Sequence, residues 1–564
     1  MTDLRRTMLW VVFLSSLLFL WDAWNVQQGQ PPLFSFAPAP KPAASTAAPG
    51  TAASGGLPTP TAAGAVGSPA APAAPAVAQR ETVVVTTDMV RATLDTRGGD
   101  LVRVELLKSF VSQDSKDPVV LLDRGPQRFY VAQTGLVGAG GATLPNHLTP
   151  FTVKPGPRAL EGDAKALSVV LESAEVGGVK LVKTYTFPRG SYAVTVKHEV
   201  VNTGTAPTTP QLYLRLVRDG VLPPEANSMW GTSTYTGLAA YTDNAKFQKL
   251  DFGDIAKGKA SLDKSADNGW IAMVQHYFAS AWVVNDPLRR EFSVDKIGTN
   301  PYNTNQPLYA TTMLMPLGEL APGATKAQDA VLYVGPQEET KLAALAPGLE
   351  LVKDYGFLRV LAKPLFWLLE KLHGLIGNWG WAIVALVVVL KIAFYWLNAS
   401  AYRSMAKMKA VNPKIMEIRE RYKDKPQQLQ QEMMRIYREE KINPLGGCLP
   451  IFVQMPFFIA LYWVLLSSAE MRHAPWVGWI TDLSARDPYF ILPVLMTLST
   501  LLQTWLNPTP PDPVQAKMMW IMPLVFSVFF FFFPAGLVLY WLTNNILSIA
   551  QQWLINKQLG VLNK

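Results

Sequence analysis

Between Trp379 and Ile555 the chain carries five apolar segments, about Trp379–Leu397, Cys448–Leu466, Tyr489–Leu506, Met518–Phe533 and Ala535–Ile555. At about 1.5 Å per residue, roughly 20 residues cross a hydrocarbon core of about 30 Å. A run of such segments leaves few folds open. Hydrocarbon satisfies no backbone N–H or C=O, so each segment must bond to itself as a helix. The C-terminal part is therefore expected to be a polytopic α-helical membrane bundle. Phe529–Phe533 followed by Pro534-Ala535-Gly536 predicts a tight turn and an antiparallel hairpin of the last two spans.

A sixth segment lies at the start. Arg5 and Arg6 precede an apolar run from Met8 to about Leu20, and no small-x-small cleavage site follows directly. This reads as an uncleaved anchor over 1–26 with its N-terminus in the cytoplasm. Charge tests the topology. From Asn398 to Gly447 eleven basic residues face six acids, whereas Ser467–Pro488 holds two basic residues and three acids. The first connection is then cytoplasmic and the second external, in agreement with six spans and two cytoplasmic termini. The whole chain has 51 basic and 42 acidic residues, and more than half of the +9 excess sits in that one connection. It reads as topology and docking surface rather than as a nucleic-acid footprint, and no specific nucleic acid is expected.

Between anchor and bundle the composition changes twice. Within 37–78, all but four of 42 residues are Ala, Pro, Gly, Ser or Thr. Such a stretch cannot bury a core, so 27–80 is expected to be a disordered tether. Residues 81–345 alternate instead. Val90, Ala92 and Leu94 interleave with Arg91, Thr93 and Asp95, and Gly98-Gly99-Asp100 turns into Leu101–Leu106. Further strands are read at Leu167–Leu171, Val179–Phe187, Tyr192–Val201, Gln211–Val217 and Trp270–Val284. Period-two alternation between Gly, Pro and Asn turns predicts a large antiparallel β-sandwich, placed outside the cytoplasm by the anchor. Cys448 is the only cysteine, so this domain must hold without disulfides. Residues 346–376 follow, where Tyr355–Leu375 carries Arg359, Lys363, Glu370, Lys371 and His373 beside Leu361, Phe366, Trp367 and Leu368. This reads as an amphipathic helix lying in the membrane interface. The second span (377–400), a cytoplasmic hairpin (401–447), four spans (448–556) and a short tail (557–564) complete the chain.

Several chemistries lack their residues. No GxxxxGK[ST], HExxH or GxSxG occurs, and His147, His198, His276, His373 and His473 are scattered. No catalytic residue, metal or cofactor is expected. What stands out is Lys391 within Ala385–Tyr395, roughly 9 Å from the end of its segment. A lysine deep in a span costs about 2.5–3.5 kcal/mol. Either it snorkels to the interface or it faces a wet pocket, and its position alone does not choose. Polar groups for such a pocket are present: Gln454, Thr497, Ser499, Thr500, Gln503 and Ser527, with Pro456, Pro493 and Pro523 inside spans. In the last segment Tyr540, Asn544, Ser548 and Gln551 share one helical face, with Asn545 and Gln552 beside it. Lipid cannot satisfy that stripe, so it must face protein, water or another chain.

The cytoplasmic connection is itself periodic. Met405, Met408, Val411, Ile415, Ile418 and Tyr422 recur every three or four residues, and Leu429, Met433, Ile436 and Tyr437 resume after Asp424-Lys425-Pro426. This predicts a helical hairpin whose methionines form an adaptable surface.

Gly377–Gly380, Ser404–Met408, Pro413-Lys414, Asn443–Pro450, Gln454–Pro456 and Pro534–Trp541 together resemble the YidC/Oxa/Alb family of membrane protein insertases, in its Gram-negative form. The resemblance covers about 355–556 closely; anchor, tether and external domain match in architecture. It implies a five-helix core with a hydrophilic groove in the inner leaflet, closed on the far side, and a periplasmic antiparallel β-supersandwich. Lys391 stands where many members have arginine. Gln454 and the Tyr540-Trp541 pair match groove or substrate-contact positions, and Thr500, Gln503, Asn544, Ser548 and Gln551 extend the polar lining. The resemblance implies docking on the hairpin, through Met405, Met408, Arg419, Arg421, Met433 and Arg435. It also implies ATP-independent insertion and assisted folding of nascent membrane proteins in the bacterial inner membrane. The partners it implies are the Sec translocon, the ribosome, signal recognition components and lipids. Two other readings of the residues stay open, a polytopic transporter or channel and a membrane-tethered periplasmic sugar-binding protein.

Overall fold

The computed structural model describes residues 81–112, 115–138, 141–222, 235–422, 425–440, 449–507 and 513–558. The expected anchor and tether, positions 443–448 of the Asn443–Pro450 motif, Lys423-Asp424 and the tail past Gln558 lie outside the described residues.

Two nine-stranded sheets build the first part. One runs, in spatial order, Thr82–Thr86, Val90–Asp95, Asp100–Phe110, Pro118–Arg124, Phe129–Gly138, Pro210–Asp219, Asn303–Pro316, Arg290–Asn300 and Ser265–Ala266. The other runs Lys246–Leu250, Gly237–Thr242, Trp270–Gln275, Phe278–Val283, Thr325–Pro336, Ala193–Asn202, Val179–Pro188, Ala166–Ser173 and Phe151–Val153. Neighbouring strands pair antiparallel throughout, as the alternation requires. The Gly98-Gly99 turn has φ of 84° and 60°. A Cβ on Gly98 would stand 2.5 Å from the His147 carbonyl oxygen, so only glycine fits.

The inner faces interlock. Leu94, Leu101, Leu212 and Met313 of one sheet pack with Tyr185, Val196, Trp282 and Leu332 of the other in one core. The expected strand Trp270–Val284 is in fact two, joined by a turn at His276-Tyr277. The apolar run hid this hairpin because neither turn residue is Gly, Pro or Asn. The core also encloses Lys183, whose Nζ donates to the carbonyls of Gly98 at 2.6 Å and Thr134 at 2.9 Å and lies 3.4 Å from Asp100. Burial pushes the Asp100 carboxyl up to about 6 and lowers Lys183, so the pair persists only because its hydrogen bonds offset desolvation.

After the short helix Glu339–Leu345, eight longer helices follow among the described residues: α1 (Arg359–Ile376), α2 (Trp379–Ala393), α3 (Tyr395–Arg421), α4 (Pro426–Glu439), α5 (Leu449–Ser467), α6 (Ile491–Leu506), α7 (Pro513–Phe530) and α8 (Ala535–Gln558). Helix α1 is two-faced as expected. Ala362, Leu365, Phe366 and Leu369 are buried against α2 and α5, while Val360, Trp367 and Leu375 are exposed. Gly377, at φ 75°, closes it, and the Asn378 side chain accepts from Trp381 N–H at 3.1 Å to open α2.

The expected span Trp379–Leu397 is broken. Helix α2 stops at Ala393, the chain interrupts at Phe394, and α3 leaves at a bend of 69°. Among the described residues no single helix is long and apolar enough to cross a membrane; the bent pair α2–α3 reaches that length and composition together. Helix α6 starts at Ile491 rather than Tyr489, and the Asp487 side chain accepts from Tyr489 N–H (3.0 Å) and from Leu492 N–H (2.7 Å) in its first turn. The last turn also differs from expectation. Phe530 and Trp541 meet across it at 4.9 Å, but α8 then packs mainly on α6, α2 and α3, whereas α7 packs on α6.

The sandwich and the helices join through ionic contacts. Buried Lys353 pairs with Glu470 at 3.0 Å and lies 3.7 Å over the Phe366 ring. The Tyr355 hydroxyl donates to Glu339 at 2.6 Å, and His276 Nε2 contacts the Leu466 carbonyl at 3.1 Å. The connection after α5 therefore rests on the β domain.

Candidate substrate groove

The bend after α2 makes the site. It turns α3 across the ends of α5 and α8 and leaves a cavity of about 620 Å³ between them. Lys391, Gln454, Gln503, Tyr540, Trp541, Asn544 and Ser548 line it, as does Met405. Seven of the nine expected groove residues thus meet at one cavity.

Lys391 does not stand alone in it. Its Nζ donates to Ser548 Oγ at 2.6 Å, and the Ser548 hydroxyl donates in turn to the Asn544 carbonyl at 2.7 Å. Among the described residues no ion pair involves Lys391, so its charge is offset by a hydroxyl and not by a carboxylate. Gln454 Nε2 donates to Asn398 Oδ1 at 2.9 Å, tying α5 to α3. Much of the rest of the wall is apolar, with aliphatic residues such as Val387, Leu390 and Ile459 and two aromatic contacts: Phe394 meets Phe457 edge-on at 5.0 Å and Phe458 meets Trp541 at 4.1 Å. Apolar mass with a few amides and one cation suits an amphiphilic chain better than a small polar solute.

Two expected residues lie elsewhere. Thr500 faces α8, where it accepts from Asn545 Nδ2 at 3.0 Å and donates to the Met496 carbonyl at 2.9 Å. Gln551 reaches the Tyr395 carbonyl at 3.4 Å, outside the cavity lining. Helix α8 therefore has two polar faces. Tyr540, Asn544 and Ser548 face the cavity, while Asn545 and Gln552 staple the helix to α6 and Asn507.

Asn398, Tyr402 and Asn507 line the cavity without having been singled out. The signal for the first two was present. Lys391, Phe394, Asn398, Tyr402 and Met405 are spaced three, four, four and three apart, one helical face that continues past the bend.

The hairpin forms as the periodicity predicts. Val411 and Ile415 of α3 pack on Ile436 of α4, with Met408, Ile418, Met433 and Tyr437 around them. Met408 and Met433 thus belong to the seam, Met405 belongs to the cavity, and Met416 and Met434 are the exposed methionines. Arg421 pairs with Glu417 at 2.9 Å and Arg435 with Glu439 at 2.8 Å, both one turn away on the solvent side. Arg419 is half-buried on the same helix as Arg421.

A β-sandwich joined to a helical bundle with an amphiphilic cavity around Lys391 is the architecture that comparison must place. Comparison names the class. Residues 371–561 match the 60Kd inner membrane protein family, and residues 82–368 match the YidC periplasmic domain. The chain is 57% identical over 561 residues to the membrane protein insertase YidC of Cupriavidus necator, covering 99% of this chain and 98% of that one. It is 53% identical to that of Ralstonia nicotianae (100% and 99% covered) and 54% identical to that of Bordetella petrii (99% and 98%). A crystal structure of an active YidC insertase with its first transmembrane domain resolved aligns over 84% of this chain and 92% of that one, at 19% identity and a TM-score of 0.39.

The chain belongs to the YidC family of membrane protein insertases. It is an inner membrane protein with a periplasmic β-sandwich domain and a helical C-terminal region, and it inserts membrane proteins. Its substrates are nascent membrane proteins. Neither the transporter nor the sugar-binding reading is favoured by that placement.

Proposed function

We propose that insertion runs through the cavity around Lys391, without ATP and without covalent catalysis. A nascent apolar segment docks on the α3–α4 hairpin, through its exposed methionines and the arginines 419, 421 and 435. It then moves along α3 past Met405 into the cavity. Its short polar or acidic tail is held transiently by Lys391 and by the amides of Gln454, Gln503 and Asn544. This lowers the cost of carrying polar groups through an apolar layer. The apolar segment leaves sideways into lipid, where its burial is favourable, and the tail crosses.

The observation that carries this reading is the Lys391 ammonium held by Ser548 in a cavity whose other lining groups are amides, hydroxyls and apolar side chains. A half-buried cation whose side-chain partner among the described residues is a neutral hydroxyl keeps most of its field for an incoming anion. Six spans with both termini cytoplasmic remain part of the proposal. It is supported by the external Ser467–Pro488 connection resting on the periplasmic domain through Glu470 and Arg472, while the basic hairpin projects from the other end of α2–α3. The ribosome and signal recognition components would meet the hairpin face, and the Sec translocon would receive substrates too large for one cavity.

Site-specific crosslinking from positions 391 and 454 to a stalled nascent chain tests the route. Adducts from both positions, lost when the nascent chain lacks its apolar segment, are expected. Adducts confined to the periplasmic domain or to the lipid face of α7 would refute it.

A further inference from the structure

The Asn398 amide is only half engaged by the walls of the cavity. Gln454 Nε2 donates to its Oδ1 at 2.9 Å, which sets the amide with its oxygen towards α5. Its Nδ2 is buried and has no partner among the described residues, although the side chain lines the cavity. The neighbouring polar groups differ. Lys391 donates to Ser548, and Ser548 to the Asn544 carbonyl. Gln503 and Asn544 are half-buried, so water can reach them, whereas Asn398 is 4% exposed. A buried N–H without an acceptor costs free energy, and native folds keep few of them. One that borders a binding cavity is stabilised when the ligand brings the acceptor.

The chemistry of the entering chain says what that acceptor is. Every residue of a polypeptide carries one main-chain carbonyl, and in an apolar layer each loses its water. An apolar segment satisfies its own carbonyls as a helix, but a short polar tail ahead of it is too short to hold one. Its carbonyls therefore need donors from the wall. A carboxylate is better met by the Lys391 cation, which sits on the same helical face before the bend as Asn398 does after it. The side-chain torsion that turns an asparagine amide is soft, so Nδ2 swings towards the cavity without leaving its rotamer. We propose that Asn398 Nδ2 donates to a main-chain carbonyl of the tail, so that the groove binds polypeptide backbone as well as the acidic side chains that meet Lys391. Such binding is indifferent to the tail's sequence, and it serves neutral tails, which offer Lys391 no carboxylate. It rests on the proposed route through the cavity.

The test exchanges one main-chain amide of a neutral tail for an ester, which keeps the length of the chain but weakens the carbonyl as an acceptor. Single-span substrates with the ester at each tail position in turn are inserted into proteoliposomes of the full-length protein. At one or two positions the ester should slow insertion about 3- to 10-fold, the range of one hydrogen bond. In Asn398→Leu the all-amide substrate should already be slow by that factor, and the ester should slow it no further. The exchange also removes an N–H, but it does so for both proteins, so their ratio isolates the carbonyl. Asn398→Gln, which keeps the donor, should keep the ester effect. Gln454→Leu unties α5 from α3 but leaves Asn398 its Nδ2, so it should slow both substrates and keep their ratio. Equal ester effects in the unmodified protein and in Asn398→Leu would overturn the proposal and leave Asn398 a tie between helices. So would a tail in which no ester position matters, a result that needs no variant to fold. Crosslinks from positions 391 and 454 that persist beside either result would leave the route standing without this contact, whereas their loss would remove the route itself.

Discussion

Replacing Lys391 by methionine keeps the length and the apolar stem of the side chain and removes only the charge. The fold should tolerate this. The Ser548 hydroxyl loses a donor at 2.6 Å but still donates to the Asn544 carbonyl, so no polar hydrogen is stranded. Function should respond according to the substrate tail. An acidic residue deep in hydrocarbon costs about 2.5–3.5 kcal/mol. A cation about 4 Å away in a medium of effective dielectric near 20 returns about 4 kcal/mol before desolvation. A net loss of about 2–3 kcal/mol for a tail with one carboxylate slows insertion about 30- to 150-fold. A neutral tail should slow by less than about threefold, because it draws only on dipoles that the variant keeps. The assay is insertion of single-span substrates into proteoliposomes, scored by protease protection, with tails that differ only in carrying no, one or two acidic residues. Lys391→Arg should insert all of them. Equal slowing of neutral and acidic tails, or no slowing of either, would refute the electrostatic argument and leave Lys391 a snorkelling residue.

In the sandwich, Lys183→Met leaves Asp100 buried and the Gly98 and Thr134 carbonyls without their donor, and should destabilise the domain by about 3–5 kcal/mol in denaturant melts of the full-length protein. Gly380→Ala places a Cβ 2.2 Å from Cδ1 of Trp476 and should cost about 1–3 kcal/mol in bundle stability, whereas Gly374→Ala, with nothing within 4 Å, should be neutral or stabilising by thermal melting. Ile415→Asp buries a charge in the seam of the α3–α4 hairpin and should abolish insertion while leaving the melting of the sandwich unchanged, which calorimetry separates.

Periodicity carried most of what could be read in advance. Alternation located the strands because one face of each is buried, and it failed at Trp270–Val283, where every residue of both strands is buried and no turn former marks the reversal. Three-and-four spacing located the hairpin seam, but it could not tell a docking methionine from a packing one. Met408 and Met433 face each other's helix, and only the tertiary fold shows that. In the groove, residue chemistry pointed to Lys391, Gln454 and Ser548, since polar groups in apolar segments need a reason. Thr500 was placed with them because composition does not say which of two polar faces of α8 a neighbour meets. Asn398 lies just past the apolar run that ends at Leu397, and Tyr402 falls in the 401–447 hairpin, so neither stands out as a polar group inside an apolar segment. The break at Phe394 is what brings them back to the cavity, and an aromatic residue in an apolar run announces no bend.

That bend also ties the two halves of the proposed mechanism together. Helix α3 supplies the cavity wall at Asn398, Tyr402 and Met405, then the hairpin seam from Met408 onward. Met405 and Met408 are one turn apart, about 5 Å along the axis. A straight continuation of α2 would have carried this face away from α5 and α8. The 69° turn instead lays it across them, so a segment docked at the hairpin already lies at the mouth of the cavity. The Gln454–Asn398 bond fixes the turned helix to α5, and Lys391–Ser548 fixes the end of α2 to α8. Both polar ties cross the same cavity that an incoming tail must enter. On the proposed route, a tail that competes for these donors draws on the same hydrogen bonds that tie α5 to α3 and α2 to α8.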